Sequence, residues 1–247
     1  MPVKLCNVPD HVRQMSLSHG FYDDFQGFVT LSSVPEYTVV TAVDGTVLIG
    51  DSKGGQITIA SATATVGDNE DCYLAREPEA FLIADQQPIE FEISAKYSEV
   101  STNTPNIIFG LTDGVAANLL VNDGAGPKTG GDFFAFYKKD GSLNWWIGYN
   151  VNGGTQVAVE LLTTTTLTKQ TYVGASTTFK RFNIEIIPKN TTQCDVIFSI
   201  DGVAVYKATD VVYTSCTDMQ AVAGCKNGTT TACSLVVDYW WCYQNRV

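Results

Sequence analysis

Residues Ile89-Glu90-Phe91-Glu92-Ile93-Ser94-Ala95-Lys96-Tyr97 alternate without a break, with odd positions apolar and even positions polar. Successive side chains of an extended chain point to opposite faces. A strand here therefore sends Ile89, Phe91, Ile93 and Tyr97 into a core and leaves Glu90, Glu92 and Lys96 in water. Residues Phe179-Lys180-Arg181-Phe182-Asn183-Ile184-Glu185-Ile186 join the same pattern from Phe182 onward.

The punctuation around these strands is that of antiparallel structure. Asp-Gly pairs stand at Asp44-Gly45, Asp140-Gly141 and Asp201-Gly202, each between strand-like runs. A type I′ turn needs positive φ at both central residues, which Asp and Gly tolerate, and its twist suits a hairpin. The expected hairpins join residues 37–43 with 46–49, 133–139 with 142–149, and 196–200 with 203–206. Long helical periodicity is missing, with room for only a turn or two at 115–120 or 8–15. Residues 121–131, rich in glycine and turn formers, read as a long loop. Residues 161–171, with Thr163 to Thr166, read as an edge strand or an exposed connection. The fold expected is an all-β, antiparallel two-sheet β-sandwich over residues 21–247, preceded by an N-terminal extended arm over 1–20.

Bulk numbers agree with one large core. The chain has 247 residues, 45% hydrophobic and 17% charged, with 15 basic against 26 acidic side chains and a net charge of −11. Area scaling gives roughly 11,000 Å² exposed when folded against roughly 39,000 Å² unfolded. Such a composition excludes a disordered chain. The acidic balance opposes a nucleic-acid binder that works through phosphate contacts. No apolar run reaches the ~18 residues that span a bilayer. The opening residues Met1 to Asp10 lack an apolar signal core, so synthesis in a cytoplasm is expected.

Few residues carry chemistry. The two histidines, His11 and His19, fall in the arm. No G-x-S-x-G elbow is present, so histidine-dependent catalysis is not expected. Glu90 and Glu92 have spacing compatible with a glycosidase carboxylate pair, but their strand reads as an ordinary outer face. Asp23-Asp24, Asp68-Asn69-Glu70-Asp71 and Asn122-Asp123-Gly124 are acidic clusters without EF-hand spacing, expected to be solvated turns rather than a calcium site. The cysteines Cys6, Cys72, Cys194, Cys216, Cys225, Cys233 and Cys242 form no C-x-x-C pair, which argues against zinc. They are expected as buried small hydrophobes. The alternative is a disulfide among Cys216, Cys225, Cys233 and Cys242. Sequons at Asn190 and Asn227 carry little weight. Trp145-Trp146 and Trp240-Trp241 each send one ring inward and one outward, and an outward ring could stack on a sugar or a subunit. No catalytic, cofactor-binding or metal-ligating residue is expected, and no cofactor.

The C-terminal run Ser234-Leu235-Val236-Val237-Asp238-Tyr239-Trp240-Trp241-Cys242-Tyr243-Gln244-Asn245-Arg246 resembles the last strand of tailed-bacteriophage virion proteins with a concanavalin-like jelly-roll domain. Four further pieces follow in the same order. They are Phe21-Tyr22-Asp23-Asp24-Phe25, the strand Ile89 to Tyr97, Ile107-Ile108-Phe109-Gly110-Leu111-Thr112-Asp113, and Phe182-Asn183-Ile184-Glu185-Ile186 before Val196-Ile197-Phe198-Ser199-Ile200-Asp201-Gly202. The resemblance covers residues 21–246. The cysteine content, the 122–131 insertion and the N-terminal arm depart from it.

The resemblance implies a non-enzymatic capsid decoration, or cement, protein on the exterior of the virion. Its implied partners are the major capsid protein and further copies of itself in a symmetric oligomer, a trimer if it sits on threefold positions. Neither nucleic acid nor membrane is an expected partner; a surface glycan is an open one. Two rivals are kept: a carbohydrate-binding module of a tail fibre or host-range appendage, and a sandwich-fold glycoside hydrolase.

Overall fold

The computed structural model describes residues 18–25, 36–50, 55–62, 67–77, 81–99, 105–124, 126–161, 176–214, 216 and 218–245. These hold β1 (Ser18–Asp23), β2 (Tyr37–Thr41), β3 (Thr46–Ile49), β4 (Ile57–Ala60), β5 (Asp71–Arg76), β6 (Ile89–Glu99), β7 (Pro105–Thr112) and β8 (Phe133–Lys138). They continue with β9 (Trp146–Asn150), β10 (Val157–Glu160), β11 (Ser176–Pro188), β12 (Gln193–Ile200), β13 (Val203–Val212), β14 (Gln220–Asn227) and β15 (Cys233–Asn245). One sheet runs β13-β12-β11-β6-β15-β4-β3, with β1 also on β15; the other runs β10-β9-β8-β7-β14-β5-β2. The all-β two-sheet sandwich stands.

β1 starts at Ser18, so residues 18–20 of the stretch read as an arm pair with Asn245, Gln244 and Tyr243. Residues 1–17, with His11 and Cys6, lie outside the described residues, as does the 161–171 stretch beyond Leu161. Residues 115–120 form turns rather than helix.

The three Asp-Gly pairs read as hairpin turns serve three geometries. Asp201 and Gly202 both take positive φ, 52° and 79°, and close the β12–β13 hairpin with Ile200 opposite Val203. At Asp140-Gly141 only the glycine has positive φ, and the β8–β9 ladder resumes at Tyr137 opposite Trp146. The hairpin stands there with a longer loop. The expected hairpin at Asp44-Gly45 does not form: β2 pairs with β5 in one sheet and β3 with β4 in the other. Neither residue takes positive φ. The Gly45 N–H donates to Thr41 Oγ1 at 2.9 Å, and a Cβ there would lie 2.6 Å from Cys72 Cβ. The pair is a tight corner between sheets, for which a glycine is needed for space rather than for φ.

β6 behaves as its alternation predicts, with Ile89, Phe91, Ile93 and Tyr97 buried. They meet an aromatic core in which Phe109 lies 4.6 Å from Phe182 and Phe136 lies 5.3 Å from Phe198, centroid to centroid. Burying each such ring is worth about 1.5–3 kcal/mol. β15 needs one correction of phase to use both ends of its apolar pattern. Opposite β6, Val237 faces Ala95 and Tyr239 faces Ser94, so Asp238 is an extra, bulged residue. The bulge brings even-numbered Trp240 inward after odd-numbered Leu235 and Val237. Trp240 then stacks on Tyr37 at 5.9 Å and donates Nε1–H to its hydroxyl at 3.2 Å.

Candidate functional site

The outer faces of the two sheets differ, and the difference places the site. Strands β7, β8 and β14 are buried at every position, so both faces of the seven-stranded sheet are covered along its centre. The outer cover is residues 113–124 and 126–131, which take in the stretch read as a loop from 121 onward. It packs Leu120 onto Tyr73, Ile108, Phe133, Ala135, Tyr137 and Val222, a second small core. Gly224 makes room for this layer, because a Cβ there would run into the Tyr73 ring and into Cys72 O. A backbone bridge between Leu120 and Pro127 closes the segment on itself as a flap.

A buried polar row anchors the flap. Asp71, Lys226 and Asn106 lie side by side on β5, β14 and β7, all at 0% exposure. Lys226 Nζ donates to Asn118 Oδ1 at 2.5 Å and lies 3.9 Å from Asp71 Oδ2. The Asn118 N–H in turn donates to Asp71 Oδ2 at 2.6 Å. Burial lowers the Lys226 pKa, while Asp71, Asp123 and Asp68 oppose that shift. Asn69 and Asp123 exchange hydrogen bonds, Nδ2–H to Oδ1 at 3.4 Å and N–H to Oδ1 at 3.2 Å. Two of the three acidic clusters thus converge, and the cation they surround is the lysine ammonium. No group of three or more ligating side chains suited to a metal ion occurs among the described residues. The third cluster is a turn: Asp23 accepts from the Phe25 N–H at 2.7 Å and the Tyr37 hydroxyl at 2.5 Å.

Beside this anchor, between the two limbs of the flap, lies an open groove of about 290 Å³. Phe133 and Leu119 line it with apolar surface, and Thr112, Asp113, Asn118, Lys128 and Thr129 supply polar groups. Asp113 accepts the Asp132 N–H at 2.9 Å, which fixes its carboxylate at the wall. The exposed Lys128 and the glycines 130 and 131 form the opposite limb. An ammonium, a carboxylate and an amide beside an aromatic wall can hold a small polar ligand by hydrogen bonds and ring contact. The lining residues include no histidine or cysteine.

The eight-stranded sheet presents a different outer face. Glu90 and Glu92 are half-buried rather than bare in water, because tyrosines close over them. Tyr243 Oη donates to Glu90 at 2.7 Å, Asn183 Nδ2 to Glu90 at 3.0 Å, and Tyr239 Oη to Glu92 at 2.8 Å. Trp241 stacks on Tyr243 at 5.4 Å, and Tyr22 on Tyr239 at 6.1 Å. Burial raises the Glu185 pKa, and Glu90 directly opposite raises it further.

The remaining candidates fall into place. Trp145 and Trp240 point inward and Trp146 and Trp241 outward. Trp241 is nonetheless only 6% exposed, while Lys139 Nζ sits 3.8 Å above the Trp146 ring. Cys72, Cys194, Cys225, Cys233 and Cys242 are buried free thiols, and Cys216 is buried too. Burial lifts the Cys72 and Cys194 pKa values to about 12. Asn227 is fully buried, its amide donating to Gly67 O and Thr229 O, so that sequon has no accessible acceptor. Asn190 is exposed and accepts from Thr192 Oγ1 at 2.9 Å. His19 lies on β1 opposite Gln244. Sequence reasoning missed the flap and its groove. The available signal was apolar residues on both faces of residues 133–137 and 221–225.

No protein-family model matches the chain, and no curated protein does. Solved structures do. The Emp46p carbohydrate recognition domain in its metal-free form superposes with a TM-score of 0.60 at 12% identity, over 91% of this chain and 96% of that one. Endo-1,3-beta-glucanase from Streptomyces sioyaensis reaches 0.61 at 14% identity, over 94% and 98%. The carbohydrate esterase vb_24B_21 from Shiga toxin-encoding bacteriophage phi24B reaches 0.53 at 12% identity, over 91% and 97%. The chain therefore has a concanavalin-like, legume-lectin-type β-sandwich fold. A lectin domain and hydrolases share that architecture, so it defines the scaffold and leaves the activity to the site.

Proposed function

We propose that the protein is a non-enzymatic structural module of a bacteriophage virion, a capsid decoration protein carried on the outside of the shell against the major capsid protein. One observation carries this reading: the residues through which the sequence resembles such proteins are spent on the frame. Asp23 caps a turn and ties down Tyr37. Gly110 allows β7 to approach Phe134 O, which a side chain would block. Thr112 Oγ1 donates to Gly114 O at 3.2 Å and Asp113 accepts from Asp132. Asp201-Gly202 makes a hairpin turn and Asp238 a bulge. A module recognised by its scaffold residues is a building block. The net charge of −11 keeps many crowded copies apart in solution and disfavours contact with packaged nucleic acid. Purified particles are expected to contain the chain in a multiple set by capsid symmetry. A handful of copies per particle would overturn the reading.

A second reading, carbohydrate recognition, is favoured by the groove under the flap, where polar groups border an aromatic wall. It is supported by the fold shared with a carbohydrate recognition domain. Binding on a glycan array that is lost in Lys128→Ala and Asp113→Ala, with the fold retained, would establish it in place of a purely structural role.

A further inference from the structure

The buried polar row that anchors the flap also brings three reactive groups together. Lys226 is completely buried on β14, and so is Asp71 opposite it on β5. The flap carries Asn118 over them; its φ of 63° is a left-handed conformation that asparagine tolerates. Lys226 Nζ lies 2.5 Å from Asn118 Oδ1, so with a carbonyl bond of about 1.23 Å the carbon Cγ is at most about 3.7 Å away. Well-oriented groups react from about 3–3.5 Å, at effective concentrations that free solutes never reach. The carboxylate completes the set. Asp71 Oδ2 accepts the Asn118 N–H at 2.6 Å and lies 3.9 Å from Nζ, and Oδ1 has no hydrogen-bond partner among the described residues. Charge balance alone would seat Asp71 against the ammonium. Here the amide carbonyl holds the nearer place and the carboxylate stands back.

We infer that Lys226 and Asn118 join in an intramolecular isopeptide bond that fastens the flap covalently to the sheet. Lys226 passes a proton to Asp71, and the free amine attacks Asn118 Cγ. Asp71 hands that proton to Nδ2, the Cγ–Nδ2 bond breaks as the Nζ–Cγ bond becomes an amide, and the carboxylate takes a second proton from Nζ. The departing ammonia collects it. One ammonium ion is released, Asp71 is restored, and nothing is oxidised or reduced.

Burial lowers the Lys226 pKa and so eases the first proton transfer, while Asp71, Asp123 and Asp68 oppose that shift and favour the ammonium. The bond therefore accumulates with age, and a freshly folded chain is held by the ion pair alone. Asn118 itself is exposed, which gives ammonia a way out. The two residues are 108 positions apart, so the link restrains a long loop of the unfolded chain. The inference does not depend on where the protein works.

Intact-mass spectrometry of the full chain tests it. Wild type kept folded for several weeks is expected to lose the mass of one ammonia, and its digest to contain a branched peptide joining Asn118 to Lys226. Chain kept in urea for the same time is expected to form no such link, because the fold supplies the geometry. Lys226→Arg keeps the positive charge without a nucleophilic amine and is expected to keep its full mass. Asp71→Asn with unchanged circular dichroism is expected to form the link at least about tenfold more slowly. Folded wild type that keeps its full mass overturns the inference. So does a loss of ammonia that persists in Lys226→Arg, or one that maps to a succinimide such as Asn152-Gly153 could form. Linking at the wild-type rate in Asp71→Asn overturns the proton route. Should Lys226→Arg misfold, the wild-type digest decides: a branched peptide supports the bond and its absence refutes it.

Discussion

Lys226 and Asp71 face each other on neighbouring strands, both fully buried, with Nζ 3.9 Å from Oδ2 and Asn118 bonded to each of them. The pair fastens the flap to the sheet. Removing one partner of a buried pair strands the other charge and costs about 3–5 kcal/mol, whereas replacing both by apolar groups is close to neutral. Lys226→Met is therefore expected to lose stability in that range in urea unfolding. Lys226→Met/Asp71→Leu is expected to recover most of it. Equal losses in the two variants would show that Asp71 is not the group left stranded.

Glu185 and Glu90 stand directly opposite each other on β11 and β6. Like charges in that position destabilise a sheet by about 0.2–1 kcal/mol. The Glu185 pKa is raised, first by burial and then by Glu90. Its folded-state value lies above its unfolded one, so ionisation opposes folding at neutral pH and ceases to matter once both states are protonated. Glu185→Gln is expected to raise the melting temperature at pH 7 and to have no effect below about pH 4, near the carboxylate reference value. A gain independent of pH would point to packing instead.

How much of this was legible in the sequence depends on how many faces of a strand meet solvent. β6, β11 and β12 each have one covered face, and period-two alternation marks them. β7, β8 and β14 are covered on both, so their apolar runs mark strands without saying what lies over them. The flap reads as a loop because glycine and turn formers dominate residues 121–131. Its role depends on Leu120 and Asn118 reaching Tyr73 and Lys226, more than forty residues away in each case. Asp44-Gly45 reads like Asp201-Gly202 because the dipeptide is the same. Only the partners β5 and β4, recruited from later in the chain, separate a corner from a hairpin.

Alkali should unfold the protein through its tyrosines. Burial raises the pKa of Tyr37, Tyr137, Tyr239 and Tyr243 above that of a solvated phenol; hydrogen bonds to Asp23, Glu92 and Glu90 add to it at Tyr37, Tyr239 and Tyr243 respectively. The folded chain then holds protons that the unfolded chain releases. Their stabilisation is complete below about pH 10 and is lost as pH rises beyond it. Lys226 and Lys139, whose pKa values burial lowers, act in the opposite direction, as two groups against these four. Melting temperatures from pH 8 to 12 are expected to fall gently from about pH 8.5, where the buried thiols of Cys72 and Cys194 ionise in the unfolded chain, and steeply from about pH 10, with tyrosinate absorbance rising only on unfolding. Tyrosinate formation at pH 10 in the folded protein would contradict the burial.

The thiols of Cys72, Cys194, Cys225, Cys233 and Cys242 are expected to resist a thiol reagent in the native state. All five sulfurs are buried away from a reagent, and at Cys72, Cys194 and Cys242 burial also suppresses the thiolate, the reactive species. All five should react once the chain is unfolded, and a reductant should leave the melting temperature unchanged. A drop in melting temperature under reductant would reveal a disulfide.

Asp238 is the spare residue of β15. The ladder with β6 passes from Val237 opposite Ala95 to Tyr239 opposite Ser94, and at the same point the other edge of β15 changes partner from β4 to β1. Removing Asp238 heals the bulge without altering which side chains face inward, so the deletion is expected to fold with a loss of no more than about 2 kcal/mol. Inserting one alanine between Trp240 and Trp241 shifts every later residue to the opposite face. It would turn Cys242 outward and drive Trp241 and Tyr243 into the core. That variant is expected to yield no cooperatively melting protein. If the insertion folds and the deletion does not, β15 is registered by the contacts of Asp238, such as Gln56 Nε2 at 3.4 Å, rather than by the alternation of its rings.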